Sequence, residues 1–212
     1  PAPPDIWTEF PDAQAAEGKV QRVRHQRALP WTDAPALAEA LRKTDAPGAR
    51  ALLLTLLCAT RTGETLGATW DEIDFERSLW TIPGDRMKAG KPHRIPLSVA
   101  AIEVLREQAR DRRNQWVFPT QRKLSGKSLS YMAMSKVLER SGWLSRTTVH
   151  GLRSTFRDWV SEETDYSDRL AEVALAHQLA DRVQAAYNRT DQLEKRREMM
   201  ERWSKHLRAE SA

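Results

Sequence analysis

The run Ala51–Ala59, ALLLTLLCA, constrains this chain more than any other feature: nine consecutive residues without a charge. A bilayer span needs roughly 20 apolar residues, so the run is too short to cross a membrane and reads as a helix buried in a protein core. Other elements must then surround it. With 212 residues the chain is long enough to supply them, and one compact domain, with room for a small appendage, is the expectation. Cys58, the only cysteine, lies inside the run and reads as a small core residue. A single thiol excludes an internal disulfide and a cysteine-built zinc site.

Around this helix the hydrophobic period predicts a mainly α fold with a small antiparallel β-sheet. Residues 1–27, rich in Pro, Ala and charge and without an apolar period, are expected to be a linker from a further N-terminal region, and residues 28–212 the folded domain. The chain has no initiator Met and no charged-then-apolar leader, which suggests an excised fragment and a cytoplasmic location. Thr32 is placed to cap a helix running to Lys43, and a second helix follows Pro47 into the apolar run. From Trp70 to Leu97 short apolar groups separated by turn residues, Gly84 and Gly90 among them, predict a β meander. Helices are then expected over Ser98–Arg110, Ser130–Ser141, Val149–Glu162, Asp168–Ala176, Asp181–Asn188 and Asp191–Leu207.

Charge favours an anionic partner. The formal net charge is +5, from 34 Lys and Arg against 29 Asp and Glu, a modest excess. Between Glu103 and Arg146, however, ten basic residues meet four acidic ones, a local balance of 10 − 4 = +6. Solvated helix faces and a surface that tracks phosphates both account for it.

Some motifs dissolve on inspection. GDRMKAGK, Gly84–Lys91, imitates a phosphate-binding loop, but five residues instead of four separate its glycines and Pro92 stands where Ser or Thr should hold magnesium. Asp71, Glu72 and Asp74 alternate with Trp70, Ile73 and Phe75, which makes them the solvated side of a strand, not a metal site. In TVHGLRSTFRDW, Val149, Leu152, Phe156 and Trp159 form a buried helical face that turns His150, Arg153 and Arg157 to the other side. His150 and Arg153 are then neighbours able to hold two oxygens of one phosphate, although such a pair is ordinarily just solvated. Arg61 follows the apolar helix with Glu64 three residues on, placed to orient it in a cleft or to form a structural ion pair. His177 ends a helix and Tyr187 lies ten residues later. A lone Tyr at helical spacing is ordinarily core with its hydroxyl at the rim.

Order and separation give these weak signals their weight. Arg61 in ATRTGETLGATWDEID, Lys88 in a hairpin, His150 and Arg153 in HGLR, His177 in ALAHQ and Tyr187 in AAYNR together resemble the tyrosine recombinases, most closely the integrases of phages and genomic islands. The resemblance runs from about Ala28 to Leu207; Gly151 and Ser154 depart from it, standing where polar or His residues are more usual. It implies a tyrosine recombinase catalytic domain that breaks and rejoins DNA through a 3′-phosphotyrosyl intermediate, integrating or excising a mobile element. Tyr187 is then the nucleophile, Arg61 and Arg153 stabilise phosphate charge, His150 assists the proton, His177 binds the phosphate, Lys88 protonates the leaving oxygen and Glu64 supports Arg61. No metal and no cofactor is expected, the arginines doing what divalent ions do elsewhere. The implied partners are double-stranded DNA attachment sites, further copies of the chain in a synaptic assembly and accessory DNA-bending proteins, in association with the nucleoid. Type IB topoisomerase-like relaxation and a catalytically silent DNA-binding regulator are the alternatives. The apolar stripe Leu193, Met200, Trp203 and Leu207 suits docking on its own domain or on a neighbouring protomer.

Overall fold

In the computed structural model, which describes residues 27–120, 126–177 and 190–209, the apolar run forms most of α2, Pro47–Cys58. Every residue from Ala49 to Thr60 is buried. The helix is covered by α1 (Ala34–Arg42), α4 (Val99–Arg110), α5 (Ala133–Arg140) and α6 (Gly151–Glu163), with the short α3 (Thr62–Leu66) at its end. Arg50 enters this apolar setting only because Gln108, Asp45 and Asp111 accept from its guanidinium at 2.8, 2.7 and 3.3 Å. Among the described residues no helix is long and apolar enough to cross a membrane.

The C-terminal helix α8 (Leu193–Leu207) closes the core from the other side. Met200, Trp203 and Leu207 are buried against their own chain. The Trp203 indole donates to the carbonyl of Leu56 in the last turn of α2, at 2.9 Å, and its ring lies 5.0 Å from Trp159 and 5.7 Å from Phe156. Docking on the same domain is therefore what this chain displays, while Leu193 stays partly exposed.

The meander is a three-stranded antiparallel sheet in the order β1 (Ile73–Asp74), β2 (Leu79–Ile82), β3 (His93–Pro96). Trp80 pairs with Ile95 and Ile82 with His93. Lys88 lies in the connection between β2 and β3, as the hairpin reading requires. β3 packs on α8 and, through the His93 imidazole, reaches the carbonyl of Ala174 at the end of α7 (Asp168–Ala174), 3.2 Å away.

Several sequence expectations shift. Thr32 caps nothing in the described structure: a 3₁₀ turn, Trp31–Asp33, precedes α1, and no side chain caps the helix at Asp33. Ser98 does cap α4, accepting from the Ala101 amide at 3.3 Å. The helices expected at Ser130, Val149 and Asp191 begin at Ala133, Gly151 and Leu193. The helix expected to reach Ala176 stops at Ala174, because Ala176 turns to a φ of 49°. Asp181–Asn188 lies outside the described residues. Glu72 is not on a solvated strand face: it accepts from the Trp80 indole at 2.9 Å and pairs with Arg86, with its side chain only 7% exposed. Arg153 is likewise buried, at 3% exposure, although periodicity turns it away from the apolar face of α6.

Gly151, one of the departures noted above, has a physical cause. Residues 27–29 cross the start of α6, where the Arg27 carbonyl accepts from the Thr148 amide and the Leu29 carbonyl from the Thr155 hydroxyl. A β-carbon on Gly151 would stand 1.9 Å from the Arg27 carbonyl oxygen, so no side chain fits. Gly151→Ala is expected to destabilise the fold by about 1–3 kcal/mol, the cost of overpacking a closed site; an unchanged denaturant midpoint would show that the crossing is not maintained in solution. Burial, reinforced by the charge of Arg196, pushes the His93 pKa down from 6.5 to about 4. Between those values the unfolded chain binds a proton that the folded one refuses, so stability falls as pH drops from about 6.5 to about 4. Melting temperatures across that window are expected to fall less steeply for His93→Gln than for the parent chain.

Candidate active site

The end of α2 sets the first part of the site. The helix stops because Ala59 adopts the left-handed conformation, φ 51°, which costs a residue with a β-carbon roughly 1–2 kcal/mol. The threonine hydroxyls beneath the turn form one network: Thr65 lies 2.9 Å from Thr55 and 2.7 Å from Thr60. Arg61 then stands at the N-cap of α3, and the Glu64 carboxylate accepts from both its backbone amide and its Nη1, each at 2.7 Å. Glu64 is buried, which makes this pair a fixed strut and not a surface ion pair.

The end of α7 sets the second part. A helix leaves its last carbonyls without internal partners, and here three consecutive ones are taken by side chains from elsewhere. His93 meets Ala174, Arg153 Nη2 donates to Leu175 at 2.6 Å, and Arg61 Nη2 donates to Ala176 at 3.3 Å. Arg153 Nη1 also donates to the Ala59 carbonyl at 2.5 Å, so one guanidinium joins the ends of α2 and α7. Two arginines 92 positions apart in sequence (153 − 61) thus converge on adjacent residues. Burial lowers the Arg153 pKa to about 10, with the Arg61 charge adding to the effect. The group remains a cation at neutral pH.

The histidines complete the cluster. His177 Nε2 lies 3.1 Å from Arg153 Nη2, and its Nδ1 lies 2.7 Å from the Glu172 carboxylate, which also accepts from Arg157 at 2.7 Å. Burial raises the Glu172 pKa, but the hydrogen bonds from His177 and Arg157 outweigh this and hold it below the usual range. His150 is exposed at the N-cap of α6; partial burial and then the charges of Arg153, Arg61 and His177 lower its pKa. It therefore favours the neutral form, which can accept a proton. A cavity of about 320 Å³ is lined by Arg61, Glu64, Arg86, Lys88, Tyr131 and His150. Lys88 is exposed at its edge, and no polar partner for its ammonium occurs among the described residues. Also among the described residues, no three His, Cys, Asp or Glu side chains are grouped to hold a metal ion.

Arg61, Glu64, His150, Arg153 and His177 thus stand in one cluster, with Lys88 across the cavity. Tyr187 lies outside the described residues. Sequence reasoning passed over Glu172, Arg86, His93 and Tyr131. None belongs to a periodic pattern that would single it out: Glu172, Arg86 and His93 take their places through contacts with other segments, and Tyr131 through lining the cavity. Every described member of the basic set between Glu103 and Arg146 is exposed.

Residues 27–194 match the phage integrase family. Among curated relatives, prophage integrase IntZ of Escherichia coli K12 is 36% identical over 185 residues, covering 86% of this chain and 45% of that protein. The integrase of Enterobacteria phage P4 is 32% identical over 207 residues, 88% of this chain and 46% of the relative. The chain thus spans about half the length of these relatives. In fold it is similar to an integrase from mycobacterium phage Brujita, with a TM-score of 0.62 at 17% identity over 88% of this chain and 60% of the other. It is also similar to lambda integrase solved as a tetramer bound to a Holliday junction, with a TM-score of 0.57 at 18% identity over 86% and 54% of the two chains. By the extent of the family match and the order of its motifs, the chain belongs to the phage integrase family of tyrosine recombinases.

Proposed function

We propose that this chain is the catalytic part of a site-specific recombinase that breaks and rejoins DNA through a 3′-phosphotyrosyl link to Tyr187. The observation that carries the reading is the convergence of Arg61 and Arg153 on adjacent residues at the end of α7, beside two histidines and a cavity that Lys88 lines. Attack on a phosphodiester builds negative charge on the non-bridging oxygens, and cations held in place before the reaction stabilise that charge without further rearrangement. Arg61 and Arg153 are held in this way by carboxylate and carbonyl oxygens.

Tyrosine has an unperturbed pKa of about 10, so roughly one phenol in a thousand is ionised at pH 7. His150, favouring its neutral form, takes the phenolic proton as the Tyr187 oxygen bonds to phosphorus. The bond from phosphorus to the 5′ oxygen breaks, and Lys88 supplies that oxygen with a proton. His177, oriented by Glu172, binds a phosphate oxygen. The phosphotyrosyl bond retains the energy of the phosphodiester, so a 5′ hydroxyl can reverse the step with no nucleotide hydrolysis. The exposed basic residues described between Glu103 and Arg146 support double-stranded DNA as substrate. The lambda integrase tetramer on a Holliday junction supports an assembly of several copies on paired attachment sites; accessory DNA-bending proteins would complete it.

Two experiments check the roles. Tyr187→Phe is expected to bind DNA normally and to form no covalent adduct on a nicked suicide substrate, whereas Tyr131→Phe and Tyr166→Phe still form one. Loss of the adduct in either of the latter, with Tyr187→Phe still active, would reassign the nucleophile. Lys88→Ala is expected to slow cleavage of ordinary DNA by about 10²- to 10⁴-fold, the usual worth of a general acid. A sulfur in place of the scissile 5′ oxygen should restore most of that rate, because a thiol of pKa about 8.5 leaves without a proton. Arg153→Ala, deprived of charge stabilisation, should gain nothing from the sulfur.

A further inference from the structure

We propose that Arg86 is a positioning residue that sets where Lys88 stands relative to Arg61; the proposal rests on the reading of Lys88 as the group that protonates the leaving oxygen. Lys88 has no polar partner of its own among the described residues, yet a general acid must be held within hydrogen-bond reach of one oxygen. What holds it has to act through the backbone on either side.

The segment between β2 and β3 is closed on itself. A β-carbon on Gly84 would stand 2.6 Å from the Gly90 carbonyl oxygen, so the two ends of the loop touch. Within it the Met87 amide donates to Gly84 at 3.0 Å, the Gly90 amide donates to Met87 at 2.9 Å, and the Met87 side chain is buried. Arg86, Met87 and Lys88 therefore move as one piece. Arg86 ties that piece to the rest of the site. Its Nη1 pairs with Glu72, and its Nη2 donates to the Glu64 carbonyl at 2.7 Å and reaches that of Gly63 at 3.5 Å.

Those carbonyls belong to α3, the helix that carries Glu64 and starts at Arg61. Glu72 is itself fixed, accepting from the buried Trp80 of β2 at 2.9 Å. Gly67 leaves room for the contact, since a β-carbon there would stand 2.7 Å from Arg86 Nη2. One guanidinium thus links the Lys88 loop, the sheet and the Arg61 helix. Although Arg86 lines the cavity, its charge is matched by the Glu72 carboxylate and its donors point at α3, an arrangement for bracing and not for seizing a phosphate.

The test is single-turnover cleavage at saturating protein, on ordinary DNA and on DNA with a 5′-bridging sulfur at the scissile phosphate, for Arg86→Gln, Glu72→Gln, Lys88→Ala and Arg61→Ala. The positioning role predicts that Arg86→Gln cuts ordinary DNA about 10²-fold more slowly, the cost of misplacing a reacting group by about 1 Å. It also predicts unchanged DNA affinity and recovery of most of the rate on the sulfur substrate, as for Lys88→Ala and unlike Arg61→Ala. Glu72→Gln, which keeps the shape of the brace and removes its charge pairing, should show the same pattern in milder form. Equal slowing on both substrates by Arg86→Gln and Glu72→Gln, with Lys88→Ala rescued, would overturn the positioning of Lys88 alone and place Arg86 with Arg61. If sulfur fails to rescue Lys88→Ala itself, the general-acid reading falls and takes this proposal with it.

Discussion

Arg153 holds a guanidinium almost out of reach of water, and a buried cation is tolerated only where oxygens face it. Those oxygens come from the ends of two helices. Ala59 terminates α2 and Leu175 follows the end of α7; each offers a carbonyl that its own helix leaves unused. The same guanidinium therefore closes the core and defines the centre of the site. Nearly everything else can be ordered around it: His177 on its Nη2, Arg61 on the next carbonyl, His93 on the one before. A helix C-terminus carries partial negative charge, which suits the two guanidinium groups that donate to these carbonyls.

That arrangement also accounts for how two like charges share one place. Arg61 and Arg153 repel, and each lies near a charge that compensates: Glu64 beside Arg61, and Glu172 behind His177. On the proposed reading, a phosphate would meet guanidinium groups already oriented by protein oxygens, with Arg153 buried and Arg61 partly exposed. The price is a strained Ala59 and a Gly151 with no room for a side chain.

The rigid frame behind the site is aromatic and aliphatic. From Ala51 to Cys58 α2 is uncharged and buried and must be wrapped, and α8 completes the wrapping by placing Trp203 against its Leu56 carbonyl. Met200, Trp203 and Leu207 of the C-terminal stripe are buried in their own domain and serve the stability of this chain, while Leu193 stays partly exposed. A buried network of Arg196 with Asp191 and the Arg94 carbonyl fixes the start of the same helix to β3.

The sequence by itself determined the buried helix, the small sheet between Trp70 and Leu97, the place of Lys88 between two strands and the membership of the family. These rest on local period, on turn residues and on motif order, all of which a one-dimensional string contains. Tertiary structure decided the rest, because burial of a polar group depends on what a distant segment brings. Periodicity put Arg153 on the polar side of α6 and Glu72 on a solvated strand face; both are buried, since Ala59 and Leu175 supply oxygens to the first and Trp80 and Arg86 supply donors to the second. Helix ends moved for the same reason: α7 stops at Ala174 where its carbonyls turn to face His93, Arg153 and Arg61. Partners such as Glu172 and Arg86 carry no sequence signature of their own, because their roles exist only once α7, α3 and the hairpin have been folded together.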